Sequence, residues 1–339
     1  MKALKSIFPV ILFFSAVLIA AGIPAEDDTG RAATQKKAFI VRNDTEGPRV
    51  MAEGGLMDLL RKEGFEAAAV SVVRLTPEEK KEYGEWNQDA LESRQIGKLL
   101  SGRRWNEGLG IGLLTNCVDL LGMLAGVQHL AAAADALPDD RNLQGEGLAG
   151  IKPLRVGLVY FDAHADFNTP ETTMSGMLGG MDVAVAAGLC LERLRLKTGL
   201  DPALPTRYIV YGGLRDVDPL EQELLDRSDC AYLTVDDMRV MSPEIDRQME
   251  RLSRLTDVIY IHIDMDVLDP SEVRGHSLNV PQGPTSRELA AVVEKMFRHA
   301  KAGAIGIASL PVGDRDPEGL SLKAAYRLIE GALRGYQSR

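Results

Sequence analysis

The chain has 339 residues, 45% of them hydrophobic and 26% charged, with a formal net charge of −10. That length suits one large domain or two ordinary ones, and the acidic balance argues against a nucleic-acid partner or an anionic membrane surface. Cys117, Cys190 and Cys230 are too few and too scattered for a disulfide framework, and in an oxidising compartment their odd number leaves at least one thiol unpaired.

At the N-terminus, Lys2 and Lys5 precede an apolar run from Ile7 to Ile19, small residues follow to Ala25, and acidic residues begin at Glu26. This is the pattern of a secretory signal peptide over residues 1–25, cleaved near Ala25; the apolar run is short for a retained membrane anchor. The mature chain is then expected to be exported, periplasmic or extracellular, without stable membrane insertion. Residues 26–37 are polar and read as a flexible tail. From Ala38 onward no linker, repeat or low-complexity tract interrupts an alternation of candidate strands and helices. Residues 38–339 therefore read as one α/β domain with a mostly parallel sheet and helices on both faces.

Within that domain, the stretch from Leu109 through Thr115, Asn116 and Cys117 to Gly126 reads as a strand, a turn and the start of a helix. Two further runs, Arg155–Phe161 and Val258–Ile263, are apolar and rich in β-branched or aromatic residues, as strands buried on both faces are. Each ends in hard ligands at alternate positions: Asp162, His164 and Asp166 after the first, Asp264 and Asp266 after the second. If the chain stays extended, side chains at i, i+2 and i+4 share one side, so both sets can converge. The competing reading is local, because Asp also turns loops and caps helices just after strands. Four carboxylates gathered with an imidazole repel unless cations neutralise them, and a mixed oxygen and nitrogen set suits Mn²⁺, Fe²⁺, Co²⁺, Ni²⁺ or Zn²⁺. His262, two residues before Asp264, falls on the same side but deeper, as a packed residue beneath the site.

The stretches Asp162-Ala-His-Ala-Asp166-Phe-Asn168-Thr-Pro-Glu-Thr-Thr-Met-Ser175-Gly and Asp264-Met-Asp266-Val-Leu-Asp269-Pro270 resemble the two signature motifs of the arginase (ureohydrolase) family. A third, Tyr211-Gly-Gly-Leu-Arg215-Asp216-Val-Asp218-Pro219-Leu-Glu221, resembles the family segment that holds the amino-acid end of the substrate. The resemblance implies a three-layer α/β/α arginase-like metallohydrolase domain with two divalent ions, Mn²⁺ foremost. Asp162 and Asp264 would bridge the ions, His164 and Asp266 would complete one, and Asp166 with Cys117 the other. Asn168 and Ser175 would contact the α-carboxylate of a guanidino or amidino amino acid, Asp218 and Glu221 its α-amino group. Relatives commonly assemble as trimers or hexamers, so a homo-oligomer is expected.

The chain also departs from the family. Cys117 stands where a ligand His belongs and Asn116 where an Asp does; a family branch with Cys there acts on Nω-hydroxyarginine. A thiolate can bind a transition metal, although a small buried cysteine is the alternative. Gly179 replaces a proton-shuttling His, Ser309 replaces a Glu that holds the guanidinium, and Met177 replaces an Asn on the carboxylate. The expected reaction is hydrolysis of a C–N bond to an amine and a urea-type product, with Asp166 moving protons and His276, in the loop after the second comb, as the one replacement shuttle. An agmatinase or other guanidine hydrolase, and a metal-containing binding protein without turnover, are the alternatives.

Overall fold

The computed structural model describes residues 35–101, 106–130 and 152–339; the expected signal peptide and most of the tail lie outside them. Residues Lys36–Arg339 form one compact unit. Among the described residues nine strands build one sheet: β1 (Lys36–Arg42), β2 (Phe65–Ala67), β3 (Ser71–Val72), β4 (Gly108–Leu113), β5 (Val156–Phe161), β6 (Ile209–Gly212), β7 (Ala231–Leu233), β8 (Val258–Asp264) and β9 (Ala302–Ala308). Their order is β2-β1-β4-β9-β8-β5-β6-β7, with β3 also paired to β1, and every pairing is parallel. Strand β1 begins two residues earlier than the sequence suggested, so Lys36 and Lys37 are not tail. The reason is local: the Lys36 ammonium reaches the last turn of the C-terminal helix and donates to the Tyr336 and Gln337 carbonyls at 2.7 and 3.0 Å, where a helix end favours a cation.

Central strands β4, β5, β8 and β9 are buried along their whole length, as parallel strands covered on both faces must be. Alternation sorts their side chains into two cores. Val159, Phe161, Ile259, Ile261 and Ile263 pack on one face, Leu158, Tyr160 and Tyr260 on the other. The second face is covered by α1 (Glu85–Leu100), α2 (Leu120–Gln128), α3 (Asp182–Ala186) and α4 (Pro219–Asp226), the first by α5 (Glu244–Leu255), α6 (Ser286–Phe297) and α7 (Leu320–Gln337). This is the three-layer α/β/α architecture expected. Among the described residues, no helix is long and apolar enough to cross a membrane.

Beneath the strand ends sits an aromatic stack. His262 is fully buried, its Nδ1 lies 2.8 Å from the Tyr260 hydroxyl, and its ring stacks on Tyr160 at 5.1 Å. Burial holds the imidazole neutral by pushing its pKa down to about 3. Gly306 makes room for this arrangement, since a Cβ there would fall 2.1 Å from the Tyr260 hydroxyl oxygen. Gly306→Ala is therefore expected to destabilise the fold by about 1–3 kcal/mol through overpacking, read as a lower urea midpoint at an unchanged slope. An unchanged midpoint would show that the stack can shift at no cost.

Candidate metal centre and cleft

Strands β4, β9, β8 and β5 lie side by side, and their carboxyl ends open into one cleft of about 500 Å³. Crevices at the carboxyl ends of parallel strands are where such sheets place ligands. Cys117 follows β4, Ser309 follows β9, Asp264 ends β8 and Asp162 follows β5. All eleven residues singled out from the sequence line this cleft: Cys117, Asp162, His164, Asp166, Asp264 and Asp266 at its floor set, together with Asn168, Ser175, Asp218, Glu221 and His276.

The two combs converge, but not by extended chain. Asp162 Oδ1 accepts the His164 N–H at 2.7 Å, and Asp264 Oδ1 accepts the Asp266 N–H at 2.9 Å. Each first aspartate thus turns the backbone two residues on. After β8 the chain enters a single turn, Met265–Val267, and Asp166 adopts a left-handed backbone with φ 47°, uncommon for a residue with a side chain. The local reading of these aspartates is realised, and each carboxylate has a second oxygen outside its turn.

Donor atoms gather in overlapping groups, within 4.8 Å of one another in each: Cys117 with Asp162 and Asp264, Asp162 with His164 and Asp266, and Asp264 with Asp266 and His276. Cys117 Sγ donates to Asp264 Oδ2 at 2.7 Å, and the Ser309 hydroxyl donates to the same oxygen at 2.5 Å. Burial raises the Asp264 carboxyl to about 6, aided by the Asp266 charge, and burial with the Asp162 charge raises Asp266 to about 6. Asp166 and Cys117 are pushed further up by burial and by neighbouring carboxylates. Burial alone would lower the His164 pKa, but Asp162 and Asp266, each 3.2 Å from its Nδ1, outweigh it and raise it to about 11. The residues fit divalent cations. They are oxygen, nitrogen and sulfur donors on shared carboxylates, in a field that opposes their simultaneous ionisation without added positive charge.

The residues expected to hold an amino-acid end form a connected patch. Asn168 Nδ2 donates to Asp218 Oδ2 at 3.2 Å, while Glu221 accepts the Phe167 N–H at 2.7 Å and the Asp218 N–H at 3.2 Å. Glu221 therefore closes the first turn of α4 and fixes the loop carrying Asp218. Ser175 is exposed, and its Oγ accepts the Met177 N–H at 3.2 Å. Three residues escaped sequence reasoning. The Tyr160 hydroxyl donates to Asp166 Oδ2 at 2.5 Å, and strand alternation from Asp162 places it there. Asp182 is fully buried beside Cys117 and Asp166. Arg315 is exposed and is the one Lys or Arg among the described residues lining the cleft.

A pH dependence follows. In the metal-free protein Asp264 and Asp266 hold protons up to about pH 6, whereas in the unfolded chain they release them near pH 4. The folded state binds more protons in that window, so this contribution to stability is lost as pH rises through it. A cation needs the ionised carboxylates, so the rise in melting temperature on adding Mn²⁺ should be larger at about pH 7 than at about pH 5. An equal or larger rise at the lower pH would contradict the assignment.

The arginase family model matches residues 144–309. An arginase of Entamoeba histolytica is 34% identical over 160 residues, 46% of this chain and 53% of that protein. An arginase of Bacillus caldovelox is 29% identical over 183 residues, 50% of this chain and 61% of that protein. The alignments thus span little more than half the length of these relatives. The crystal structure of arginase from Bacillus cereus superposes with a TM-score of 0.71 at 19% identity, covering 88% of this chain and 98% of that one, a likeness of fold. Both signature segments lie inside the matched region and the same layered sheet surrounds them, so over residues 144–309 the chain is similar to the arginase family.

Proposed function

We propose that this protein is an exported, dinuclear metal-dependent amidinohydrolase that cleaves a C–N bond of a guanidino amino acid, with Nω-hydroxyarginine preferred over arginine. The observation that carries this reading is the buried to half-buried donor set of Cys117, Asp162, His164, Asp166, Asp264 and Asp266 at the strand ends of one cleft. Divalent ions bound there, two per chain and Mn²⁺ foremost, supply the acidification of water and the charge compensation that guanidine hydrolysis needs. Asp162 and Asp264 would be shared between the ions, His164 and Asp266 would complete one, and Cys117 with Asp166 the other. Asp166, held by the Tyr160 hydroxyl, takes a proton from the attacking water and returns it to the leaving amine. His276 is the second proton carrier. Its Nδ1 accepts the Leu278 N–H at 3.3 Å, which leaves Nε2–H directed to Asp264 Oδ1 at 3.7 Å.

Neither Gly179 nor Ser309, both lining the cleft, offers an anion to a guanidinium. Ser309 is committed to Asp264, and Gly179 leaves open space where a Cβ would stand. Burying an unpaired guanidinium is costly, and a hydroxyguanidine is more easily bound neutral. Asp218 supports an α-ammonium at the other end, with Asn168 and Ser175 near it. Arg315 offers the α-carboxylate a charge that Met177 cannot.

Release of urea or hydroxyurea from a panel of guanidino compounds, after loading with each candidate metal, tests the reading. Nω-hydroxyarginine should exceed arginine and agmatine in kcat/KM, and Asp218→Ala should lower its kcat/KM by about ten-fold or more, as losing a charge-assisted contact does. Agmatine as the best substrate, unaffected by Asp218→Ala, would overturn the amino-acid assignment. No turnover with any guanidine at full metal loading would favour a binding protein without catalysis, a reading that Gly179 and Ser309 support. Cys117→Ser should lower metal occupancy and Cys117→His should preserve it; equal alkylation of Cys117 with and without metal would leave it a packing residue. Export rests on residues 1–25 and assembly into a trimer or hexamer on the family resemblance. An intact N-terminus on protein recovered from an export-competent host would contradict the first, a monomer by light scattering the second.

A further inference from the structure

Asp182 opens α3 and is fully buried. Neither carboxylate oxygen has a hydrogen-bond partner. A carboxylate in the first turn of a helix ordinarily takes the free amides there, but those amides are spent. Val183 and Ala184 N–H both donate to the Asp166 carbonyl, at 3.0 and 3.3 Å. Burial and the charged neighbours Asp162, Asp264 and Asp119, all acidic, oppose the charged form of Asp182, while the Val183 amide favours it. An orphaned carboxyl in such surroundings is expensive, and among the described residues no Lys or Arg forms an ion pair with it. One of its oxygens instead lies within 4.8 Å of Cys117 Sγ and of an Asp166 carboxylate oxygen, which are themselves within that distance of each other.

We propose that Asp182 is a direct ligand of the inner divalent cation, forming with Cys117 and Asp166 a three-donor face of one thiolate and two carboxylates behind the cleft. The proposal deepens the metal-dependent reading and rests on it. A cation there gives the Asp182 oxygens the partner they lack, and it explains why a helix cap is wasted on Asp166. It also makes the two ion positions unequal. The inner one, with a thiolate, suits softer ions such as Co²⁺ or Zn²⁺, while the outer one, with His164 and Asp266, is an ordinary nitrogen and oxygen site.

The test uses Co²⁺ added to the chelator-treated mature protein, followed by the sulfur-to-cobalt charge-transfer band and by calorimetry. Wild type should develop the band with the first equivalent. Asp182→Asn, which keeps the shape and removes a buried charge, should keep the band but shift its titration midpoint about ten-fold or more to higher Co²⁺. Asp182→Ser, smaller and neutral, should do the same, and circular dichroism confirms that each variant is folded. If the folded variants titrate on the wild-type curve, Asp182 is not a ligand and the metal reading stands without it. If wild type binds Co²⁺ with no thiolate band, Cys117 is not a ligand and the shared inner face is overturned with it. If wild type binds no Co²⁺ at all, the metal reading itself fails.

Discussion

Mutual repulsion of buried carboxylates is the constraint around which the upper half of the molecule is arranged. Asp162, Asp166, Asp182, Asp264 and Asp266 are all nine-tenths buried or more, and among the described residues the only basic side chains within ion-pair distance of them are His164 and His276. Arg215 is near, but its guanidinium is spent on the carbonyls of Gly213, Asp266, Val280 and Pro281, tying the loop after β6 to the end of β8. A fold does not concentrate charge in this way for stability, since desolvation and like-charge repulsion both oppose it. The arrangement makes physical sense as a receptacle for positive charge.

The sheet makes the concentration achievable. Four parallel strands, β4, β9, β8 and β5, are anchored by apolar side chains on both faces, so their ends are rigid and close together. Each can then hold one or two polar residues against their mutual repulsion. Below them the Tyr160, His262 and Tyr260 stack fills the second core and delivers one hydroxyl to Asp166. Positioning of Asp166 therefore depends on core packing, which in turn depends on the absence of a side chain at Gly306.

Much of this was legible in the sequence. The apolar runs before Asp162 and Asp264 carry an unambiguous buried-strand pattern, and ligand types at their ends are rare enough together to mark the site. The backbone route was not legible. Alternation predicted an extended comb, whereas aspartate turns and a left-handed Asp166 bring the donors together. Asp182 was missed because it precedes an apolar helical stretch and reads as an ordinary first-turn acid. Only the competition of Asp166 for the same amides, a tertiary fact, leaves it unpartnered. Arg315 was missed because an exposed arginine in a loop carries no signal of what it faces. The departures at Gly179 and Ser309 were visible from the motif, but that the Ser309 hydroxyl binds Asp264 was not.

Metal content of the protein, purified without chelator and dialysed against Mn²⁺, tests the central claim most directly. The account predicts about two divalent ions per chain, with at least one lost in Asp264→Ala. A folded wild-type protein that remains metal-free after dialysis would contradict it.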